Sequence, residues 1–303
     1  MTVKSCDFLV LGGGSGGIAA ARRAAQHGAR VVLVEPGRLG GTCVNQGCVP
    51  KKIMWHAAQL AHAFEDAAGY GFDLDLRRHD WPRLKTAREA YITRLNDIYL
   101  RNLEQDGVEL IRGYGRLLGA KTVEAAGQRI EAKHILLATG GRPERPQIPG
   151  AELGTDSDGF FALDHCPEQV AVVGSGYIAV ELAGMLGALG AQVTLIVRGP
   201  RLLRSFDAML GDALLEAMRA QGIEVLTDTR LQSLSAAEGG VRALLHDGRE
   251  KTFNTLIWAI GRVPNTENLG LDTAGVQTDA RGHVVTDLLQ NSSTPALYAV
   301  GDV

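Results

Sequence analysis

The sequence predicts an α/β protein of two units, each a parallel sheet wound with helices. Three observations carry this. A short apolar run passes without a gap into a glycine-rich turn and a helical pattern, and this happens twice, within 7–27 and 169–189. A segment with three prolines, Arg142-Pro-Glu-Arg-Pro-Gln-Ile-Pro-Gly150, separates the two occurrences and reads as a linker. At 303 residues, with 45% hydrophobic content and 38 glycines, the chain is long enough for two cores. A net charge of −3 gives no reason to expect nucleic acid or an anionic membrane as partner. No apolar run approaches the roughly 18 residues of a membrane span. Met1-Thr-Val-Lys-Ser-Cys-Asp7 leads straight into a strand and lacks the shape of a signal peptide. Four cysteines match a reducing compartment, and the expected location is cytoplasmic.

The first unit opens with the strand Asp7–Leu11. Gly12-Gly-Gly-Ser-Gly-Gly17 follows, then a helix from Ile18 to His27 stopped by Gly28, then a second strand ending at Glu35. Gly12 permits the tight turn, Gly14 lets a pyrophosphate approach the backbone, and Gly17 lets the helix pack on the strand. Glu35 falls where a carboxylate accepts hydrogen bonds from a ribose 2′-hydroxyl. This is the pattern of a Rossmann-like dinucleotide-binding unit.

Next comes Gly40-Gly-Thr-Cys-Val-Asn-Gln-Gly-Cys-Val-Pro-Lys-Lys52, in which Cys43 and Cys48 are separated by four residues. They are close enough to bridge if the backbone between them is wound up. Pro50 is a good helix opener, and the apolar periodicity of 53–64 continues that helix. Cys48 is thus expected just before a helix N-terminus, where the dipole favours a thiolate. Lys51 and Lys52 add positive charge. A redox-active dithiol is the functional reading. A structural disulfide, a zinc site and two inert core thiols compete with it. Nothing points to secretion, no second Cys or His pair stands at ligand spacing, and inert thiols need no flanking glycines and lysines.

Trp81 to Gln105 has helical periodicity and includes Tyr99, a residue type that is usually core or rim. Val108–Ile111, Thr122–Ala125 and Arg129–Glu131 read as short strands, and His134 begins another buried one that ends at Gly140-Gly141. After the linker come the strand Gln169–Val173, the turn Gly174-Ser-Gly-Tyr-Ile-Ala179 and a helix over 180–189, which repeat the first unit. Glu35 stands 23 residues after Gly12, whereas the same offset from Gly174 lands on Val197, beside Arg198, with Arg204 six residues beyond that arginine. The ribose-binding acid is gone and arginines take its neighbourhood, which favours NADPH over NADH. Glu181 is an acid in an apolar helix face and needs a partner if buried; a lysine near the dithiol is the candidate. Tyr177 either covers a ring or packs between elements. Phe206–Ala220 reads as a helix, Arg242–Phe253 as a hairpin turning at Asp247-Gly248, Thr255–Arg262 as a buried strand, and Leu297–Val303 as a last strand carrying Asp302.

These motifs, together with Leu203-Arg-Ser-Phe-Asp207 and Trp258–Asn265, resemble the flavoprotein disulfide reductases over essentially the whole chain, and the Lys51-Lys52 ending resembles their glutathione reductase branch. The resemblance implies three-layer ββα dinucleotide-binding domains, with an FAD-binding domain at 1–142, an NADPH-binding domain at 143–264 and a return to the first at 265–303. It implies FAD contacts at Gly12, Gly14, Ser15, Gly16, Gly17, Glu35, Thr42, Cys43, Lys51, Gly115, Thr139, Gly140 and Asp302. For NADPH it implies Gly174, Ser175, Gly176, Ile178, Glu181, Arg198, Arg204 and Gly261. Cys48 resembles the flavin-side thiol and Cys43 the one that attacks substrate. Lys51 resembles the lysine paired with Glu181, and Tyr177 the gate over the flavin. Ser15, Arg22 and Tyr99 match positions near glutathione disulfide. The implied activity is NADPH-dependent reduction of that disulfide by a homodimer. Another disulfide, mercuric ion, simple diaphorase activity or a nucleotide-binding remnant are the alternatives. Family members continue past the Gly-Asp-Val strand into an interface domain with an acid–base His and Glu. The expectation is that this domain is absent here and that the 303 residues alone are monomeric or aggregating, poor in flavin and weakly active.

Overall fold

The computed structural model describes residues 3–75 and 77–303, so the start of the N-terminal reading, Met1-Thr2, lies outside the described residues. In chain order the elements are β1 (Lys4–Leu11), α1 (Ser15–Gln26), β2 (Val31–Glu35), α2 (Gly41–Asn45), α3 (Cys48–Ala67), α4 (Trp81–Gln105), β3 (Glu109–Arg112), β4 (Gly115–Gly119), β5 (Thr122–Ala125), β6 (Gln128–Leu137) and β7 (Gly141–Pro143). They continue as β8 (Thr155–Asp156), α5 (Ser157–Ala162), β9 (Gln169–Val173), α6 (Tyr177–Ala188), β10 (Gln192–Ile196), α7 (Ala208–Ala220), β11 (Glu224–Leu226) and β12 (Leu231–Ala237). The last are β13 (Gly240–Leu245), β14 (Glu250–Phe253), β15 (Thr255–Trp258), β16 (Arg262–Pro264), α8 (Leu271–Ala274) and β17 (Leu297–Ala299).

Two compact units result. One holds Met1–Val49, Glu89–Arg142 and Val263–Val303; the other holds Pro50–Arg88 and Pro143–Arg262. Pro50–Arg88 cluster with the second unit. Their apolar side chains explain this, because Met54, Ala58 and Trp81 are buried in the second unit's core.

In the first unit the strand order is β3-β2-β1-β6, with β17 also on β6, all parallel, and β6 continues into the antiparallel pair β5-β4. Side chains alternate across a strand, and here both faces are covered. Leu9, Leu11, Val32 and Val34 pack on one side with Leu117 and Val123 of the β4–β5 hairpin. Val10 and Leu33 pack on the other with Ile18 and Ala21 of α1. That gives three layers, hairpin, sheet and helices, and explains the near-continuous apolar runs of β1 and β2.

The second unit repeats the plan. Its parallel order is β11-β10-β9-β15-β8, and a separate antiparallel meander β12-β13-β14 covers one face. Val170 and Val172 face Leu182 and Leu186 of α6, while Ala171 and Ile196 pack with Val241 and Leu245 of the meander. The hairpin at Asp247-Gly248 is present, with Leu245 N–H donating to Arg249 O at 2.8 Å.

Three readings need correction. Arg129–Glu131 and the strand from His134 are one ten-residue strand, β6. Exposed Lys133 and His134 broke the apolar pattern, yet the backbone stays in register, with His134 opposite Phe8. The proline-rich linker begins with a short strand, β7, which a terminal proline permits. Strand β4, meander strand β12 and helix α5 were not foreseen; α5 starts where the Asp156 carboxylate accepts from Asp158 N–H and Gly159 N–H, each at 3.1 Å.

Candidate active site

The first glycine turn is built as its residue types require. Gly12 has φ +111°, and a Cβ there would lie 2.1 Å from Ala138 O, so only glycine fits. Gly14 precedes α1, and a Cβ on it would meet nothing closer than Gly41 Cα at 3.8 Å. It lines a cavity of about 340 Å³ with Gly12, Glu35, Arg38, Thr42, Thr139 and Gly140. A second cavity of about 710 Å³ shares Gly12, Glu35 and Thr139 with it and adds Tyr114, Gly115 and Arg142. Glu35 holds the turn, its two oxygens accepting from Gly13 N–H at 2.6 Å and Gly37 N–H at 2.7 Å. Each oxygen keeps lone pairs for a hydroxyl. The exposed backbone of Gly14, the N-terminus of α1 and this carboxylate fit the pyrophosphate and ribose of FAD.

The dithiol segment leans on that turn. Gly40 N–H donates to Gly13 O at 2.8 Å. Gly41 has φ +59°, and a Cβ on it would sit 2.7 Å from Gly14 Cα, so the close approach also demands glycine. Cys43 lies in α2, and Cys48 is the first residue of α3 rather than the residue before it. Pro50 falls in the first turn, where no helical acceptor is lost. Both cysteines are thiols here, Cys48 exposed and Cys43 half-buried. They are within hydrogen-bonding reach of each other. Burial first, and then the neighbouring Cys48 thiol, push the Cys43 thiol up from its ordinary 9.0 to about 11.

Side chains from distant positions clamp this segment. Asn45 Nδ2 donates to Gly41 O at 2.9 Å and Leu39 O at 3.1 Å. Asn96 Nδ2, on α4, donates to Leu39 O at 2.7 Å and Asn45 Oδ1 at 3.0 Å, and Arg38 Nε donates to Asn96 Oδ1 at 2.9 Å. Sequence reasoning missed Asn45 and Asn96; the only signal for Asn96 was a polar residue one turn from Ile92 on a helix. Asn96→Ala should destabilise the first unit by about 1–3 kcal/mol, since part-buried acceptors lose their donor. Denaturant unfolding of the two proteins measures this, and an unchanged midpoint would rule the clamp out.

In the second unit Lys51 Nζ stands 2.9 Å from Glu181 Oε1, both partly exposed. Lys52 lies over the Trp55 ring, 3.9 Å from its centroid. Each lysine thus has a partner of its own. Tyr177 is the first residue of α6 and 59% exposed, which leaves its ring room to turn. Gly174, at φ +147°, repeats the Gly12 turn, and no atom lies within 4 Å of a Cβ placed on Gly176. Gly174, Ser175, Arg198 and Arg204 line a cavity of about 490 Å³, with Arg230, Glu144 and Trp258. A glycine turn at a helix N-terminus beside three arginines fits NADPH.

The remaining expected residues are more scattered. Gly16 backs on Val300, and a Cβ on Gly261 would press on the Glu144 carboxylate at 2.8 Å. Asp302 is exposed, with its carbonyl beside Gly141. Ile178 packs partly buried against the second unit's core. Ser15 is exposed at the start of α1. Arg22 Nε is held by Asp106 Oδ2 at 2.5 Å, and that contact keeps the Asp106 carboxyl below the usual carboxylate range. Tyr99 packs against the helix-side core of the first unit. Asn265, not foreseen as a site residue, locks the cavity wall by accepting from Thr139 Oγ1 through its carbonyl at 2.9 Å and donating Nδ2 to Thr139 O at 3.1 Å.

Two glycine turns of one design, one with an acid and one with arginines, and a dithiol seated on the first, define a flavin- and nucleotide-dependent disulfide oxidoreductase. The family model for pyridine nucleotide-disulphide oxidoreductases matches residues 6–303, and the chain belongs to that family. Glutathione reductase of Yarrowia lipolytica (strain CLIB 122 / E 150) is 45% identical over 320 residues, covering 100% of this chain and 68% of the relative. Glutathione reductase of Schizosaccharomyces pombe (strain 972 / ATCC 24843) is 45% identical over 315 residues, covering 99% and 67%. No helix among the described residues is long and apolar enough to cross a membrane.

Proposed function

We propose that the chain reduces glutathione disulfide with electrons from NADPH, through the Cys43–Cys48 dithiol. The observation that carries this is the pair of thiols in mutual contact on a segment hydrogen-bonded to the glycine turn of the first cavity. Bound FAD supplies hydride acceptance and two-electron delivery, which no side chain offers. The chain's own residues do the rest. Gly12, Gly14 and Glu35 hold the dinucleotide, and Thr139, Gly140 and Asn265 close the cavity wall. On the NADPH side the Gly174 turn takes the pyrophosphate, Arg198 and Arg204 take the 2′-phosphate, and Tyr177 covers the entry. Lys51, oriented by Glu181, presents its ammonium.

At the dithiol, a base removes the Cys43 proton and the thiolate attacks one sulfur of the substrate. The substrate S–S bond breaks, one glutathione thiolate leaves and takes a proton, and a mixed disulfide remains on Cys43. Cys48 then gives up its proton and attacks Cys43 Sγ, the mixed disulfide breaks, the second glutathione leaves and takes up a proton, and the Cys43–Cys48 bond closes. Two electrons have moved from the dithiol to the substrate. Ser15, Arg22 and Tyr99 are the proposed substrate contacts. The same reading makes the working form a homodimer in a reducing compartment, where a dithiol can cycle.

The test is direct. The full chain, loaded with FAD, is mixed with NADPH, and absorbance at the nicotinamide band is followed with and without glutathione disulfide. Oxidation dependent on the disulfide, and blocked by a trivalent arsenical that bridges two thiols, is expected. NADPH oxidation that ignores the disulfide and the arsenical would leave only a diaphorase.

A further inference from the structure

The cavity at the Gly174 turn holds a cation that motif spacing does not reach. Arg230 lies 32 residues beyond Arg198 in the sequence, yet lines the same cavity as Arg198 and Arg204. Pairing of β11 beside β10 brings it there. Val197 N–H donates to Leu226 O at 2.9 Å, Thr229 N–H to Val197 O at 3.0 Å, and Asp228 N–H to Gly199 O at 3.1 Å. The turn between is tight enough to put Asp228 at φ +49°, a left-handed conformation that a non-glycine residue adopts only when its surroundings hold it there. From the other side, His246 N–H donates to Arg230 O at 3.0 Å. The Arg230 backbone is fixed on both flanks, beside the segment that carries Arg198.

The charges around this cavity are also unevenly placed. Elsewhere in the second unit surface arginines hold carboxylates: Arg145 with Asp156, Arg201 with Asp212, Arg242 with Glu250 and Arg249 with Asp247. Among the described residues Arg198, Arg204 and Arg230 have no ion-pair partner, and all three are exposed at the cavity. The one acid in the lining, Glu144, stands at the other side of β9, where its carboxylate lies against Gly261 beyond the end of β15. Three unpaired guanidiniums on the β10–β11 side match a dianionic terminal phosphate, which offers three acceptor oxygens and a charge of about −2.

We propose that Arg230 is a third cationic contact for the phosphate at the 2′ position of the nucleotide, and so a determinant of specificity alongside Arg198 and Arg204. This rests on the reading of the cavity as an NADPH site. Because β11 lies outward of β10, away from the Gly174 turn on β9, Arg230 serves the 2′ end and not the pyrophosphate.

The experiment compares the full chain with Arg230→Gln, Arg230→Lys and the double variant Arg198→Gln/Arg204→Gln. Calorimetric binding is measured for NADPH and 2′,5′-ADP, which carry the phosphate, and for NADH and 5′-ADP, which lack it. Arg230→Gln should weaken the first pair about tenfold and leave the second within about twofold. It should also flatten the salt dependence of NADPH binding, and Arg230→Lys should restore part of the loss. Equal weakening of all four ligands would mean that Arg230 stacks on the adenine or merely supports the loop, and would overturn the proposal. No change in Arg230→Gln, with the double variant still losing NADPH, would overturn it as well. A double variant that binds NADPH and NADH as the unmodified chain does would instead refute the NADPH reading of the cavity.

Discussion

Cys43→Ser should abolish reduction of glutathione disulfide, by a factor on the order of a thousand or more, while NADPH binding stays as it was. A serine hydroxyl cannot form the mixed disulfide and cannot close a bond to Cys48, so both halves of the exchange are lost. Transfer of electrons from NADPH to a small dye should survive in the FAD-loaded variant, since that path does not use the thiols. The same residue predicts a pH dependence. Burial and Cys48 hold the Cys43 proton up to about 11, so at neutral pH its thiolate is scarce and the fraction rises about tenfold per pH unit up to that value. Iodoacetamide labelling of the dithiothreitol-reduced chain, mapped by peptide mass, should therefore show Cys43 gaining reactivity steadily from pH 7 to pH 10. A flat profile would contradict the buried-thiol geometry, and turnover by Cys43→Ser would sink the assigned role.

Replacing Arg198 and Arg204 together should cost NADPH between about tenfold and a hundredfold in affinity and NADH little. A charge-assisted contact to phosphate is worth about 1.5–3 kcal/mol, and two such contacts on one dianion need not add fully. Their exposure argues for the lower end of that range. NADH has no group for either guanidinium, so the ratio of the two dissociation constants, measured by titration, is the readout. An unmodified chain that binds both nucleotides equally would dispose of the preference altogether.

What could be read in advance divides along a physical line. The glycine turns were legible because their demands are local. The positive φ at Gly12 and Gly174 belongs to the turn itself. The missing acid after β10 was legible for the same reason, since one strand and one helix of fixed length carry the chain from turn to ribose. A lysine near the dithiol could be expected for Glu181 because an acid on an apolar helix face needs a partner, and the resemblance singled out Lys51. Asn96, Asn265 and Arg230 could not be found this way. Each reaches its site through strand or helix packing across long stretches of sequence, and a lone polar residue carries no sign of where it will be delivered. Strand β6 was split for a related reason, since side-chain polarity at Lys133 and His134 hides a backbone that remains in the ladder.

The order in which the sheets can be completed has a consequence for synthesis on the ribosome. All five strands of the second parallel sheet lie between Thr155 and Trp258, so that sheet has every strand before β17 is made. The first sheet does not. Its strand β17 joins β6 through Leu297–Ala299 opposite Ile135–Leu137, about 160 residues later in the sequence. Until then the apolar half of β6 presents an open edge for as long as the intervening residues take to emerge, which at about 5–20 residues per second is of the order of ten seconds. An unpaired edge of Ile135, Leu136 and Leu137 is a template for pairing with another nascent chain. Slow elongation or shortage of chaperones should therefore show up as aggregation seeded at β6.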